Sequence, residues 1–351
     1  MAIPLVVSRS MTSWSVPDLA LPWPPVALGY LLLAAAPLVL FGLSVWGTLL
    51  PAGFVVLSPV LLAGTLGLAV GIRYEWWELR RIIHAERVVV GEAHWNVVAV
   101  LGGALVTFAG AVELELSPIV AASLVGIVAA LVVETVAVPV YCGAFVGMTS
   151  PALFGSYPDA ILAAALAGLL FTAAHPVFHG VGGKLGTTAF VGVLLVVVPT
   201  ASSFPSEPIP ALPVLLSVVA VSSVATIVTF AIHARSPASP VLASGLVGAV
   251  GGVGLPIVAV SSGGLLAAAT FSASFAGMTS PERIPTEWWI GLAGIGVGLV
   301  VAFSMPFVGG SGGKLGTIAF GSCLGVHGIL RGATVFHLSR RGYRPPAEET
   351  A

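Results

Sequence analysis

The sequence is poor in charge. Asp, Glu, Lys and Arg make up 8% of its 351 residues, against 57% hydrophobic residues and a mean hydropathy of +1.07. A soluble domain carries about 25% charged residues. A water-covered globular fold is therefore excluded, and an all-α polytopic membrane protein in the cell membrane is expected. A formal net charge of −1 offers no basic surface to a nucleic acid. Cysteine is nearly absent: Cys142 and Cys323 both lie in apolar segments, at unmatched places in the repeat described below. Neither a disulfide framework nor a metal site is expected from them, and both read as small core residues. No cofactor is implied. The N-terminal stretch MAIPLVVSRSMTSWSVPD lacks the charged-then-apolar order of a cleaved signal peptide. Lysine is scarce even among the charged residues. Of 13 Lys and Arg, only Lys184 and Lys314 are lysines, and both sit inside the same hexapeptide, GGKLGT.

A spanning helix needs about 20 mostly apolar residues. On that basis about ten spans are expected, near 24–46, 53–72, 95–112, 118–148, 159–178, 184–200, 213–232, 239–278, 288–308 and 314–331. The stretch 118–148 would run about 46 Å as a straight helix, and 239–278 longer still, so both are expected to tilt, break or re-enter. Pro139 interrupts the first, and GGVGLP (251–256) and SSGG (261–264) interrupt the second. Broken helices survive in a membrane only where protein or a watery cavity satisfies the freed backbone groups. Ser117-Pro118 and Ser239-Pro240 read as N-cap serines followed by proline at the first helical position. All eight tryptophans (Trp14, Trp23, Trp46, Trp76, Trp77, Trp95, Trp288 and Trp289) fall at or near span ends, as an interfacial belt requires.

Arginine sets the orientation. Arg73, Arg80, Arg81 and Arg87 lie in the connection 73–94, and Arg331, Arg340, Arg341 and Arg344 lie in or near the tail. The positive-inside rule places both groups, and with them both termini, in the cytoplasm. The segment YEWWELRRIIHAER (74–87) is expected to form a short interfacial amphipathic helix.

The chain repeats itself. Residues 141–190 align with 271–320 without a gap, and twenty of the fifty positions are identical. FVGMTSP (145–151) faces FAGMTSP (275–281), and GGKLGTTAF (182–190) faces GGKLGTIAF (312–320). Upstream the offset becomes 122, where SPIVAASLVG (117–126) faces SPVLASGLVG (239–248). The organisation expected is a two-helix lead segment (1–94), repeat 1 (95–200), a linker (201–212), repeat 2 (213–331) and a tail (332–351). Duplication with broken helices is characteristic of transporter folds, whose sites lie between the halves. Four spans per half would make the repeats parallel, and three or five would make them inverted. The hydropathy count gives four, so parallel repeats are expected, although the loops at 113–116 (Glu113, Glu115) and 233–238 (His233, Arg235) differ in sign, which favours inversion.

Two motifs stand out within the repeat. GGKLGT reads as a helix start with a lysine in its first turn. A cation is disfavoured at that end of the helix dipole, but free amides, a dipole end and an ammonium together would hold an anion. Gly182, Gly183, Lys184 and Thr187, with Gly312, Gly313, Lys314 and Thr317, are the candidate binding residues. The opposing reading is a snorkelling, packing helix end. Snorkelling would accept arginine equally. A phosphate loop is excluded: Phe178 and Val308 stand where its first glycine is required, and leucine follows the lysine. In GMTSP, Ser150 and Ser280 read as N-caps and Thr149 and Thr279 as spare hydroxyls at a helix break. The four are candidate binding residues too, because two broken segments can present hydroxyls and amides to a substrate, and the opposing reading is a capped turn. Glu134 is a lone acid within an expected span and hence a candidate coupling group. It has no counterpart in 249–274. His175 and His179 have the spacing of a metal pair, but Pro176 lies between them and no third ligand is apparent. A polar turn or pH-sensitive gate suits them better.

The function these features point to is transport, by a secondary transporter or a channel, of a small anionic solute between two repeats. The alternatives are a membrane enzyme acting on a lipid or anionic headgroup, or a non-transporting subunit. An enzyme needs a cluster of acid, base or nucleophile that the sequence does not offer. Membrane lipid is the expected surrounding partner. A homo-oligomer is compatible with the sequence, which specifies none.

Overall fold

Long runs of Leu, Val, Ala and Gly fold as helices because an apolar surrounding leaves each backbone amide only its own chain's carbonyls. The computed structural model describes residues 19–21, 23–84, 88–90, 93–200 and 203–340. Trp14, Arg87, Arg341 and Arg344 lie outside them. Twelve α-helices follow in order: α1 (Trp23–Leu49), α2 (Ser58–His84), α3 (Ala93–Val112), α4 (Pro118–Val132), α5 (Ala137–Gly147), α6 (Tyr157–Ala173), α7 (Lys184–Thr200), α8 (Leu212–Arg235), α9 (Pro240–Val258), α10 (Gly263–Gly277), α11 (Glu287–Phe303) and α12 (Lys314–Arg340). A short ribbon pairs β1 (Leu19–Leu21) antiparallel with β2 (Val88–Val90).

Five of the helices are long and apolar enough to cross a membrane: 24–49, 53–80, 94–112, 212–235 and 240–258. Their outward faces are bare apolar surface, with Leu31, Val39, Leu66 and Val106 all exposed. Exposed apolar area on that scale needs a cover other than water, and the chain has the character of a membrane protein.

The two overlong stretches fold as helical hairpins. α4 turns back into α5 through 133–136, and α9 turns back into α10 through 259–262. Pro139 does not kink a span. It is the third residue of α5, where a missing amide costs nothing because the first-turn amides have no intrahelical acceptor. Small residues let the arms touch. A Cβ at Gly126 would lie 2.5 Å from the Tyr141 ring. In the second hairpin Ser244 and Ser274 share a hydrogen bond of 2.9 Å, and Gly251 rests on Thr270. Ser239 caps α9 by accepting the Leu242 amide at 3.2 Å. Ser117 occupies the same position before α4 without a side-chain cap bond.

Neighbouring helices approach through glycine. A Cβ on Gly147 of α5 would strike the Ala104 carbonyl of α3, and one on Gly277 of α10 would stand 2.6 Å from the Thr226 carbonyl of α8. The segment expected as a separate interfacial helix is instead the continuation of α2, which runs unbroken from Ser58 to His84. Glu75 in this stretch faces inward and is 5% exposed.

Candidate functional site

The glycines of GGKLGT lead the chain into α7 and α12, whose first two turns cross at close range. Gly186 and Gly316 lie against each other: a Cβ on either would stand 2.5 Å from the other's Cα. Gly183 abuts the Phe320 amide, and Gly313 abuts the Phe190 amide. These contacts (183 with 320, 186 with 316, 190 with 313) run in opposite directions along the two chains, so the helices cross antiparallel. Gly183 and Gly313 need to be glycine twice over, since they also hold φ of 82° and 80°.

GMTSP and GGKLGT dock on each other by exchange. The Gly182 amide donates to Thr279 Oγ1 at 3.0 Å, and the Gly312 amide donates to Thr149 Oγ1 at 3.1 Å. The Ser280 amide donates to the Gly180 carbonyl at 2.9 Å, and the Ser150 amide to the Gly310 carbonyl at 2.8 Å. Each motif is thus completed by the other motif from the other half. Ser150 and Ser280 precede short turns rather than helices, so the N-cap expectation is corrected there. Thr149 also donates to the Val146 carbonyl at 2.7 Å and Thr279 to Cys323 Sγ at 3.1 Å, so neither hydroxyl is spare. Thr187 and Thr317 are fully buried and donate back to the Gly183 and Gly313 carbonyls.

Both lysines reach backwards. Lys184 Nζ donates to the carbonyls of His175 at 3.1 Å and Val177 at 2.5 Å. Lys314 Nζ donates to those of Ser304 and Phe307, both at 2.7 Å. Each ammonium so ties down the turn after the preceding helix. The turns need tying: Phe178 and Val308 hold φ of 54° and 43°, a region that costs a bulky side chain free energy. A compact ammonium with three donors fits between two carbonyls, and a planar guanidinium does not. That is a physical reason for lysine at these two places in a chain otherwise supplied with arginine, and it leaves one donor on each ammonium uncommitted.

A cavity adjoins each motif. One of about 390 Å³ is lined by Gly312–Gly316 with Glu207, Ser304 and Ala268. A smaller one of about 90 Å³ is lined by Gly180–Leu185 with Met278. Phe145 and Phe275 line both. The Lys184 side is roofed by a network that sequence reasoning missed. Arg283 forms a bidentate pair with Glu75 (2.5 and 3.3 Å) and donates from Nε to the His179 carbonyl at 2.8 Å. His327 Nδ1 lies 3.0 Å from the Arg283 carbonyl. Tyr30 stacks on Phe178 with centroids 5.1 Å apart. The available signal was Arg283 itself, an unrepeated arginine two residues past GMTSP, aligned with Leu153.

One candidate lies elsewhere. Glu134 sits in the exposed turn between α4 and α5. His175 and His179 are brought together with Lys184 and Arg283 through their backbone carbonyls. Among the described residues no group of three His, Cys, Asp or Glu is placed to hold a metal. Cys142 and Cys323 are buried and free, and Cys142 Sγ lies 3.3 Å from the Leu185 carbonyl. No protein-family model, curated protein or solved structure matches this chain.

Proposed function

We propose that this chain is a membrane transport protein, a secondary transporter or channel, which moves a small anionic solute between two inverted repeats (95–200 and 213–331). The observation that carries the reading is the reciprocal docking of GMTSP on GGKLGT, with a cavity at each lysine-bearing helix start. Exchange of equivalent bonds is what a two-fold axis between Gly186 and Gly316 generates. The hairpins support inverted rather than the expected parallel repeats. Each half holds three helices and one hairpin, so the number of crossings is odd whether the hairpin counts as two or none. An odd count inverts the second half, and the antiparallel crossing of α7 and α12 agrees. Inverted repeats with helix starts meeting at their interface are a recurrent plan for transporters. First-turn amides of α7 and α12, with the remaining donor of Lys184 or Lys314, would supply positive potential to an anion. The chain would reside in the cell membrane with α2's arginines and the C-terminus on the cytoplasmic side.

The test is flux in proteoliposomes loaded with a panel of small anions and, as controls, sugars and cations. Anion flux should appear in the wild type and fall in Lys184→Ala and Lys314→Ala. Absence of anion flux from folded wild-type protein refutes the reading.

A further inference from the structure

The larger cavity and the smaller one meet at a single pair of rings. Phe145 and Phe275 occupy equivalent positions in FVGMTSP and FAGMTSP, 130 residues apart. Each is 2% exposed, their centroids are 4.6 Å apart and the rings are tilted by 53°. Tyr141 packs on Phe145 at 4.4 Å, and its equivalent Phe271 packs on Phe275 at 4.4 Å. The four rings close off the space between the hairpins, and Tyr141 is anchored there by its hydroxyl, 3.0 Å from Ser244 Oγ.

We infer that Phe145 and Phe275 are the aperture of the transport path: the two cavities, one at each GGKLGT motif, communicate only when these rings part, and their size sets the largest solute that passes. The inference rests on the transport reading, but its geometry can be read without any solute. The chemistry suits the role. A ring pair makes an apolar barrier to a hydrated ion and is held by about 0.5–1.5 kcal/mol of mutual attraction beyond area burial, which thermal motion can break. Each ring ends one arm of a hairpin, just before the Gly-Met-Thr turn that docks on the other half. A shift between halves would therefore move both rings. Tyr141 and Phe271 stand behind the pair and limit the direction in which it can open.

The experiment places a reporter on the far side of the rings. Met278 lines the small cavity and not the large one. Met278→Cys is introduced in a Cys142→Ala, Cys323→Ala background, and a membrane-impermeant maleimide is added to each face in turn. With both rings intact, labelling from the face onto which the larger cavity opens should be slow. Phe145→Ala with Phe275→Ala should speed it about tenfold or more, equivalent to removing ~1.4 kcal/mol of barrier. Phe→Leu at both positions, which keeps most of the apolar volume should the alanine form fail to fold, should give an intermediate rate. Unchanged labelling in a folded ring-truncated variant, or rapid labelling with the rings intact, overturns the inference. In flux assays the truncated forms should pass larger anions than the wild type, and an unchanged size limit also counts against it. Ring-dependent labelling in a protein that moves no anion would leave the aperture standing and remove the transport reading.

Discussion

Thr279→Val removes one hydroxyl and keeps the side chain's shape. The Gly182 amide then loses the acceptor 3.0 Å away, in a place closed to water, because Thr279 is fully buried. An orphaned buried donor costs about 1–3 kcal/mol. Side-chain hydrogen bonds in membrane proteins average about 0.6 kcal/mol and reach about 1.7. The upper part of that range applies here, since the bond is fully buried, so about 1–2 kcal/mol is expected. Thr149→Val should cost the same by the matching bond to Gly312. Thr279→Ser keeps the hydroxyl and loses a methyl worth about 0.8 kcal/mol, so its loss is of a different kind. Unfolding free energy measured in mixed micelles with increasing dodecyl sulfate separates them. The exchange predicts that Val in both halves costs about twice the single change, and that Ser spares the amide at either position. If Thr279→Val lies within a few tenths of a kcal/mol of wild type, the reciprocal bond does not hold the halves together.

Lys314→Met leaves the Phe307 carbonyl without its donor, while the Ser304 carbonyl keeps the Phe307 amide, and should cost about 1–2 kcal/mol, and Lys314→Arg at least half of that, both read in the same unfolding assay. Glu134→Gln, in an exposed turn, should change stability by less than about 0.5 kcal/mol and leave the pH dependence of flux as it was; loss of that dependence would restore Glu134 as a coupling group. Single cysteines at Glu115, between α3 and α4, and at Ala238, between α8 and α9, should be labelled from opposite faces of the membrane if the repeats are inverted, and from the same face if they are parallel.

The sequence announced the repeat and its two motifs through identity alone, because the residues that dock the halves must be small, or carry a hydroxyl, in both copies. Hydropathy found the apolar stretches but not where they fold back. A hairpin of two short apolar helices has the same composition as one long tilted helix, and the turn at 133–136 (Val-Glu-Thr-Val) carries neither proline nor glycine. Pro139 marked the break but lies just after it, where a helix begins. Hydropathy placed Glu134 inside one long stretch, and only the located break puts it in the turn between two helices. The lysines were legible as special and illegible in detail. Their partners are backbone carbonyls seven to ten residues back, and no side-chain pattern records a carbonyl. Glu75 and Arg283 are 208 residues apart, and without a repeat or a local spacing to join them only the folded chain brings them together.

That pair also accounts for the difference between the two cavities. The motifs are the same on both sides, and the surroundings are not. On the Lys184 side α1 and α2 lay Tyr30 on Phe178 and Glu75 on Arg283, and the cavity is about 90 Å³. On the Lys314 side the equivalents of Arg283 and His179 are Leu153 and Gly309, the chain at Pro205 and Glu207 lies over the motif, and the cavity is about 390 Å³. The lead helices, which have no copy in the repeat, therefore break the symmetry. Glu75→Gln tests this. It leaves the Arg283 guanidinium, itself 18% exposed, facing a neutral amide, and breaking a buried pair from one side costs about 3–5 kcal/mol. The bond from Arg283 Nε to the His179 carbonyl survives, which favours the lower figure. A cysteine at Val181, in the small cavity, should become more reactive to maleimide in the Glu75→Gln background. Glu75→Gln with Arg283→Leu, which installs the residue of the other half, should recover part of the stability while leaving the cavity open. If Val181→Cys reacts equally with and without Glu75, the pair does not close that side, and the cavity difference arises within the repeats themselves.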